Sequence, residues 1–148
     1  MTAPTIHASA VLFGHRGILI RGPSGSGKSA LALQLLQSAN DGFACLVGDD
    51  RIHLEAVHGR LLMRPSAALQ GLIEIRGTGI VRFPFESMAL AHVVIDLQAE
   101  NPARLPEPGD LTTVIEGVRL ARLPVAPGPD ALARVFAYLK RGNETSGL

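Results

Sequence analysis

The run ILIRGPSGSGKSALALQLL, residues 18–36, passes from apolar β-branched residues through a glycine-rich octet into residues at helical spacing. The octet Gly22, Pro23, Ser24, Gly25, Ser26, Gly27, Lys28, Ser29 fits the P-loop pattern G-x-x-x-x-G-K-S/T at every position. Glycines let the backbone turn its N–H groups inward around an oxyanion, and a helix starting near Lys28 adds the positive end of its dipole. Lys28 is long enough to reach β- and γ-phosphates, and the Ser29 hydroxyl is the kind of ligand a P-loop offers Mg²⁺. With strand, loop and helix in order, a plain glycine-serine turn is the weaker reading. The stretch predicts a site for a nucleotide or another polyphosphate.

The remaining composition narrows the class. At 148 residues the chain reads as one domain, residues 1–148, with room for a sizeable core. Net charge is +1 with Lys and Arg spread along the chain, which gives no electrostatic footprint for nucleic acid. Tryptophan is absent and aromatics are 4%, so base-stacking platforms are not expected. The single cysteine, Cys45 in FACLV, reads as a small buried side chain. MTAPTIHASAVLF lacks a signal-peptide layout and no apolar run approaches about 18 residues, so the expectation is a cytoplasmic chain with no membrane partner. A hydrophobic share of 47% is compatible with a self-association surface.

Working outward, IHASAVLF and GILIRG are strand-like runs joined by a turn, which gives the P-loop strand an antiparallel neighbour just before it. The first helix is expected from about Lys28 to Ser38, with Gly42 in its closing turn. ACLVGDD reads as a buried strand ending in two carboxylates beside the P-loop strand, and RIHLEAV with GRLLMR as a hairpin around His58 and Gly59. LQGLIEIRGTGIVRF reads as one strand interrupted by Gly77 and Gly79; AHVVIDL and VIEGVRLARLPV supply further strand material. Asn101 to Asp110 is a Pro-rich loop, PDALARVFAYLKR an amphipathic closing helix, and residues 143–148 a frayed tail. The sum is an α/β P-loop fold with a mixed, partly antiparallel sheet and few helices.

A P-loop holds phosphates without choosing an acceptor, and three acidic sites compete to complete it. Asp49 and Asp50 end a buried strand, where a metal-side carboxylate would sit, and adjacent side chains on a strand point opposite ways. Turn chemistry explains an Asp-Asp pair equally well. Asp96 in VVIDL carries a weaker version of the same pattern and favours a structural role. Glu74 and Arg76 lie two apart in LIEIRGTG, so an extended strand puts carboxylate and guanidinium on one face. That suits Mg²⁺ beside a phosphate, or an exposed salt bridge.

Taken together, these segments resemble the catalytic domain of the HPr kinase/phosphorylase family. The resemblance rests on IHASAVLFGHRGILIRGPSGSGKSALALQLL, on LVGDDRIHL, on the Glu-x-Arg-Gly-x-Gly signature in GLIEIRGTGIV, and on LPVAPGPDALARVFAYL. It implies the P-loop kinase fold shared with PEP carboxykinases, and ATP- and Mg²⁺-dependent phosphorylation of a serine on an HPr-type phosphocarrier protein. It also implies a homo-oligomer, hexameric in the family. Asp49 would be the general base, with His7 orienting it. Lys28 and the P-loop amides would hold the β-phosphate, Ser29 and Glu74 would bind Mg²⁺, and Asp50 and Arg76 would support the metal and phosphate region.

The chain departs from the family pattern at several points. The family's extra N-terminal domain is not expected, since the His-bearing strand begins at residue 6. No arginine occurs between Arg82 and Arg104, where the family carries an Arg-containing loop tied to the reverse, phosphorylase reaction. Pro129 and Asp130 stand where the family's closing turn has Arg-Asn, and Ala8 replaces the glycine after the histidine. The expectation is a kinase with a weak or lost phosphorylase activity. The alternatives are a nucleotide-sensing module that signals through a partner, and a small-molecule P-loop kinase.

Overall fold

The computed structural model describes residues 5–38, 43–97, 107–126 and 130–146. The run 5–13 divides at Ala8 into β1 (Thr5–His7) and β2 (Ser9–Phe13). β2 forms the expected hairpin with β3 (Arg16–Arg21), Ser9 opposite Ile20 and Phe13 opposite Arg16. Strand β3 is buried on both faces. Ile18 and Ile20 enter one apolar core and Leu19 the other, as the alternation of a central strand requires.

After α1 (Lys28–Gln37) come β4 (Ala44–Gly48), β5 (Arg51–Val57) and β6 (Arg60–Pro65). β5 and β6 turn at His58 and Gly59, whose φ values of 51° and 76° are those of a two-residue hairpin loop matched to strand twist. β7 (Leu72–Ile75) and β8 (Gly79–Arg82) follow, then β9 (Ala89–Leu97), β10 (Thr112–Ile115), β11 (Val118–Val125) and α2 (Ala131–Ser146). No helix among the described residues is long and apolar enough to cross a membrane.

Among the described residues, nine strands join in one mixed sheet. The order β1-β5-β6-β9-β3-β2-β4 runs across it, and β10 and β11 branch from β9. β9 lies parallel to both β3 and β11 and meets β6 antiparallel near its own start, at Ala89 and Leu90. One core lies under the two helices, with Leu31, Leu35, Val135 and Leu139 against Ile18, Ile20 and Ile95. The other lies on the opposite side of the sheet, where Ile52, Leu54, Leu61 and Met63 of the β5–β6 arm pack against Leu19 and Val94.

Several details differ from the sequence reading. β4 is not beside the P-loop strand; it pairs with β2, which lies between them. LQGLIEIRGTGIVRF is not one interrupted strand but a hairpin, β7 against β8, forming a separate two-stranded sheet. Its turn is closed by Thr78 N–H on the Ile75 carbonyl, with Gly77 at φ 82°. VIEGVRLARLPV likewise folds back on itself at Glu116 and Gly117. The first helix stops one residue early with Ser38 as its cap, and α2 continues to Ser146, into the segment read as tail. The turn at Gly42, most of the Pro-rich loop and the Pro127-Gly128-Pro129 turn lie outside the described residues.

Candidate active site

Three carboxyl-side strand features meet where β3, β2 and β4 end or begin. Strand β3 runs into the P-loop, β4 runs into Asp49 and Asp50, and antiparallel β2 starts between them at Ser9. Ligands of open α/β sheets collect at this end. The resulting cleft has a volume of about 950 Å³. Ser24, Gly25, Gly27, Lys28 and Ser29 line it from the P-loop. His7, Asp49 and Asp50 enter from the sheet, and Glu74 and Arg76 from the β7–β8 hairpin.

The loop's shape follows from its glycines. Gly27 caps α1 with φ 98°, a conformation that costs a side-chain-bearing residue roughly 1 kcal/mol or more. At Gly22 a Cβ would fall 2.4 Å from Ser26 Oγ, so the loop closes on itself only without one. Ser26 N–H reaches the Pro23 carbonyl at 3.0 Å, and its Oγ is buried without a hydrogen-bond partner among the described residues. Helix α1 has no side-chain cap and no acidic residue in its first turn; its first intrahelical bond runs from Leu31 N–H to Gly27 O. The preceding N–H groups are those an anion takes. Lys28 is 7% exposed, its Nζ donating to the carbonyls of Gly22 at 2.8 Å and Pro23 at 3.2 Å. Gly22, Pro23 and Ser26 thus shape the loop, and the other five P-loop residues face the cleft.

The two aspartates divide sharply. Asp49 is 4% exposed, and the Ser29 hydroxyl lies 2.9 Å from both of its oxygens. The Ser9 hydroxyl donates to Asp49 Oδ1 at 2.5 Å. Asp50 sits outside, with His7 Nε2 at 2.5 Å from its Oδ1. The divergence comes from the backbone: Arg51 N–H bonds the Asp49 carbonyl at 2.8 Å across Asp50, which holds φ at 71°. That is the φ of the rare, strained three-residue turn, and strain of this kind collects at functional positions. The expected contact of His7 with Asp49 therefore does not form. β1 pairs with β5 so that His7 opposes Arg51, which brings its ring to the neighbouring carboxylate, Asp50.

Glu74 and Arg76 both line the cleft, Glu74 from β7 directly opposite Ile80 and Arg76 from the turn just beyond the strand rather than from the strand itself. The base of the hairpin is fixed by Ile73, fully buried, and by Phe83 N–H on the Gly71 carbonyl at 2.7 Å. Ser29, Asp49 and Glu74 offer oxygen donors to one cleft. Such a hard set fits Mg²⁺, which takes one or two protein groups beside substrate phosphates. Ser9 escaped the sequence reading, although its signal was present. It lies two residues from His7, and alternate residues of an extended run share a face.

The competing acid, Asp96, is occupied elsewhere. Arg21 grips it with two hydrogen bonds, 2.7 and 2.8 Å, and Arg122 Nε adds a third at 2.5 Å. Burial pushes Asp96 up, but the two guanidiniums more than offset it and hold it below the usual carboxylate range. This cluster braces β3, one residue before the P-loop, against β9 and β11. Cys45 is buried and its thiol is raised by burial, with Sγ 3.4 Å from the Pro84 carbonyl, as befits an inert side chain.

Comparison with known proteins adds to this geometry. A family model described as HPr Serine kinase C-terminal domain matches residues 2–107. The HPr kinase/phosphorylase of Clostridium tetani is 38% identical over 68 residues, 46% of this chain and 21% of its own length. That of Mycoplasma mycoides is 40% identical over 74 residues, 50% of this chain and 22% of its own. That of Streptococcus thermophilus is 40% identical over 78 residues, 52% and 24%. The chain therefore spans only about a fifth to a quarter of these curated relatives. The solved Hpr(Ser) kinase/phosphatase from Coxiella burnetii superposes with a TM-score of 0.80 over 98% of this chain and 99% of that one. At 23% identity that match speaks to the fold, and it extends past residue 107 to the closing strands and helix. The chain belongs to the HPr Serine kinase C-terminal domain family.

Proposed function

We propose that this chain is an ATP- and Mg²⁺-dependent kinase that phosphorylates a serine hydroxyl on an HPr-type phosphocarrier protein. The observation that carries this reading is the meeting, in one cleft, of a complete P-loop, a buried aspartate on Ser29, and an exposed aspartate held by a histidine. The names of the family and its relatives supply the acceptor class.

The geometry supports a division of labour. P-loop amides and Lys28 hold the β-phosphate and the γ-phosphate in line with the acceptor. A Mg²⁺ ion held here would supply neutralisation of the charge that develops on the transferred phosphoryl group. Ser29 and Glu74 are the residues that would hold it, with Asp49 accepting the hydrogen bond of the Ser29 hydroxyl so that a lone pair of Oγ is free for a cation. Asp50 replaces Asp49 as the general base: Oδ1 rests on His7, and Oδ2 takes the proton of the acceptor serine. The serine oxygen forms the new bond to phosphorus, the bond to the β–γ bridging oxygen breaks, and ADP leaves with that electron pair. Arg76 stabilises the transferred phosphoryl group.

The absence of arginine between Arg82 and Arg104 supports a forward reaction that outruns the phosphorylase reaction. The test is transfer of label from γ-labelled ATP to purified HPr-type proteins, followed by challenge with inorganic phosphate. Label on serine that phosphate releases only slowly is expected. Tight nucleotide binding with no labelled acceptor would favour the sensing module instead.

A further inference from the structure

We infer that Ser9 is a positioning residue: its hydroxyl fixes the Asp49 carboxylate so that Asp49 in turn presents Ser29 to Mg²⁺. The inference deepens the proposed function and rests on the reading of the cleft as a Mg²⁺–nucleotide site. Ser9 is fully buried, and so is nearly all of Asp49. A buried hydroxyl needs a partner, and this one has a charged partner at 2.5 Å. Without Ser9, the Ser29 hydroxyl alone would hold the Asp49 carboxylate about a terminal torsion that has a broad minimum. With Ser9 on Oδ1, the plane of the carboxylate is set, and Ser29 Oγ lies 2.9 Å from each oxygen.

The strand order explains how the residue comes to be there. Antiparallel β2 is inserted between β3 and β4, so its first residue lies at the level where β3 becomes the P-loop and β4 becomes Asp49. The β2–β4 register slips between Ala10 and Val11, placing Gly48 opposite Ala10 and Asp49 within reach of Ser9. His7 and Ser9, two residues apart across the switch at Ala8, then serve the two successive aspartates: His7 holds Asp50 and Ser9 holds Asp49. One short run of chain orients both carboxylates.

Partners that orient metal-site groups without touching the metal typically contribute about 10- to 100-fold in metal affinity. The experiment is a titration of a fluorescent ATP analogue against the full chain, with Mg²⁺ and with EDTA, for wild type, Ser9→Ala and Ser9→Thr. Wild type should bind more tightly with Mg²⁺. Ser9→Ala should lose about 10-fold of that gain while its affinity in EDTA stays within about twofold. Ser9→Thr, which restores a hydroxyl, should recover the gain. Ser9→Ala removes one oxygen and adds no bulk, and a thermal melt confirms its fold. A full Mg²⁺ gain in Ser9→Ala, or an equal loss with and without Mg²⁺, overturns the inference. Wild type that binds no better with Mg²⁺ overturns the functional reading as well.

Discussion

Asp50 holds a left-handed φ of 71° to place an exposed carboxylate on an exposed histidine. Their side chains are 58% and 46% accessible, and an ion pair that open contributes little to stability. The side-chain pair therefore offsets little of that strain, and it is assigned to chemistry. Asparagine tolerates this backbone region nearly as well as aspartate. Asp50→Asn should thus keep its melting temperature and its nucleotide affinity while transfer falls by about 100-fold or more. Asp49→Asn should do the reverse in one respect, losing most of the Mg²⁺-dependent part of nucleotide binding. A nucleotide titration beside a transfer assay separates the two.

A second residue-scale prediction concerns His92. Gly17 N–H donates to its Nδ1 at 2.9 Å, so the ring is neutral with its proton on Nε2. Partial desolvation holds it below its ordinary value of 6.5, and the neighbouring charges of His15, Arg16 and Arg60 push the same way against a backbone hydrogen bond to Leu90. With the folded value depressed, the unfolded chain takes up the proton first, so stability is lost as pH falls below about 6.5. Urea melts from pH 7.5 to 5 should show that loss, and His92→Asn, which does not titrate, should flatten it.

At the scale of elements, the strand–P-loop–helix unit was legible because its residues carry local instructions: positive φ at Gly27, helical spacing after it, apolar alternation before it. The hairpin turning at His58-Gly59 was legible for the same reason. What was not legible depends on pairing between distant strands. Nothing in ACLVGDD says that β2 lies between it and the P-loop strand, and nothing near His7 says that β1 pairs with β5 while β2 pairs elsewhere. The assignment of His7 to Asp49 missed by one residue on that account. Around Gly77 and Gly79, pattern alone does not distinguish a kinked strand from a hairpin whose base, at Ile73, is buried in the core.

The Asp96 cluster also belongs to this scale, since it joins β3, β9 and β11. Asp96→Asn removes the charge that both arginines face and should cost about 2–3 kcal/mol at pH 7. Because its folded value is depressed, that contribution is present above its ordinary 3.8 and fades as pH falls through the lower folded value. Denaturant melts of wild type and variant should therefore converge as pH falls below that depressed folded value.

At the scale of the whole molecule, the sheet separates two cores and delivers its functional groups to one end. Helices α1 and α2 cover one side and the β5–β6 arm the other. Between them, β3, β2 and β4 bring the P-loop, Ser9 and the aspartates to a single cleft, and the β7–β8 hairpin adds Glu74 and Arg76. The family match ends at residue 107, yet β11 still lies parallel to β9 and Val135 and Leu139 of α2 still complete the helix-side core. Elements beyond the family match thus share the helix-side core with those inside it. The measurement that tests this account most directly is phosphoserine formation on an HPr-type protein from γ-labelled ATP and Mg²⁺, with Asp50→Asn run beside wild type. The account predicts label on serine with wild type and a loss of about 100-fold or more with a folded, nucleotide-binding Asp50→Asn. Transfer by Asp50→Asn at the wild-type rate, or no transfer by wild type that binds ATP, would contradict it.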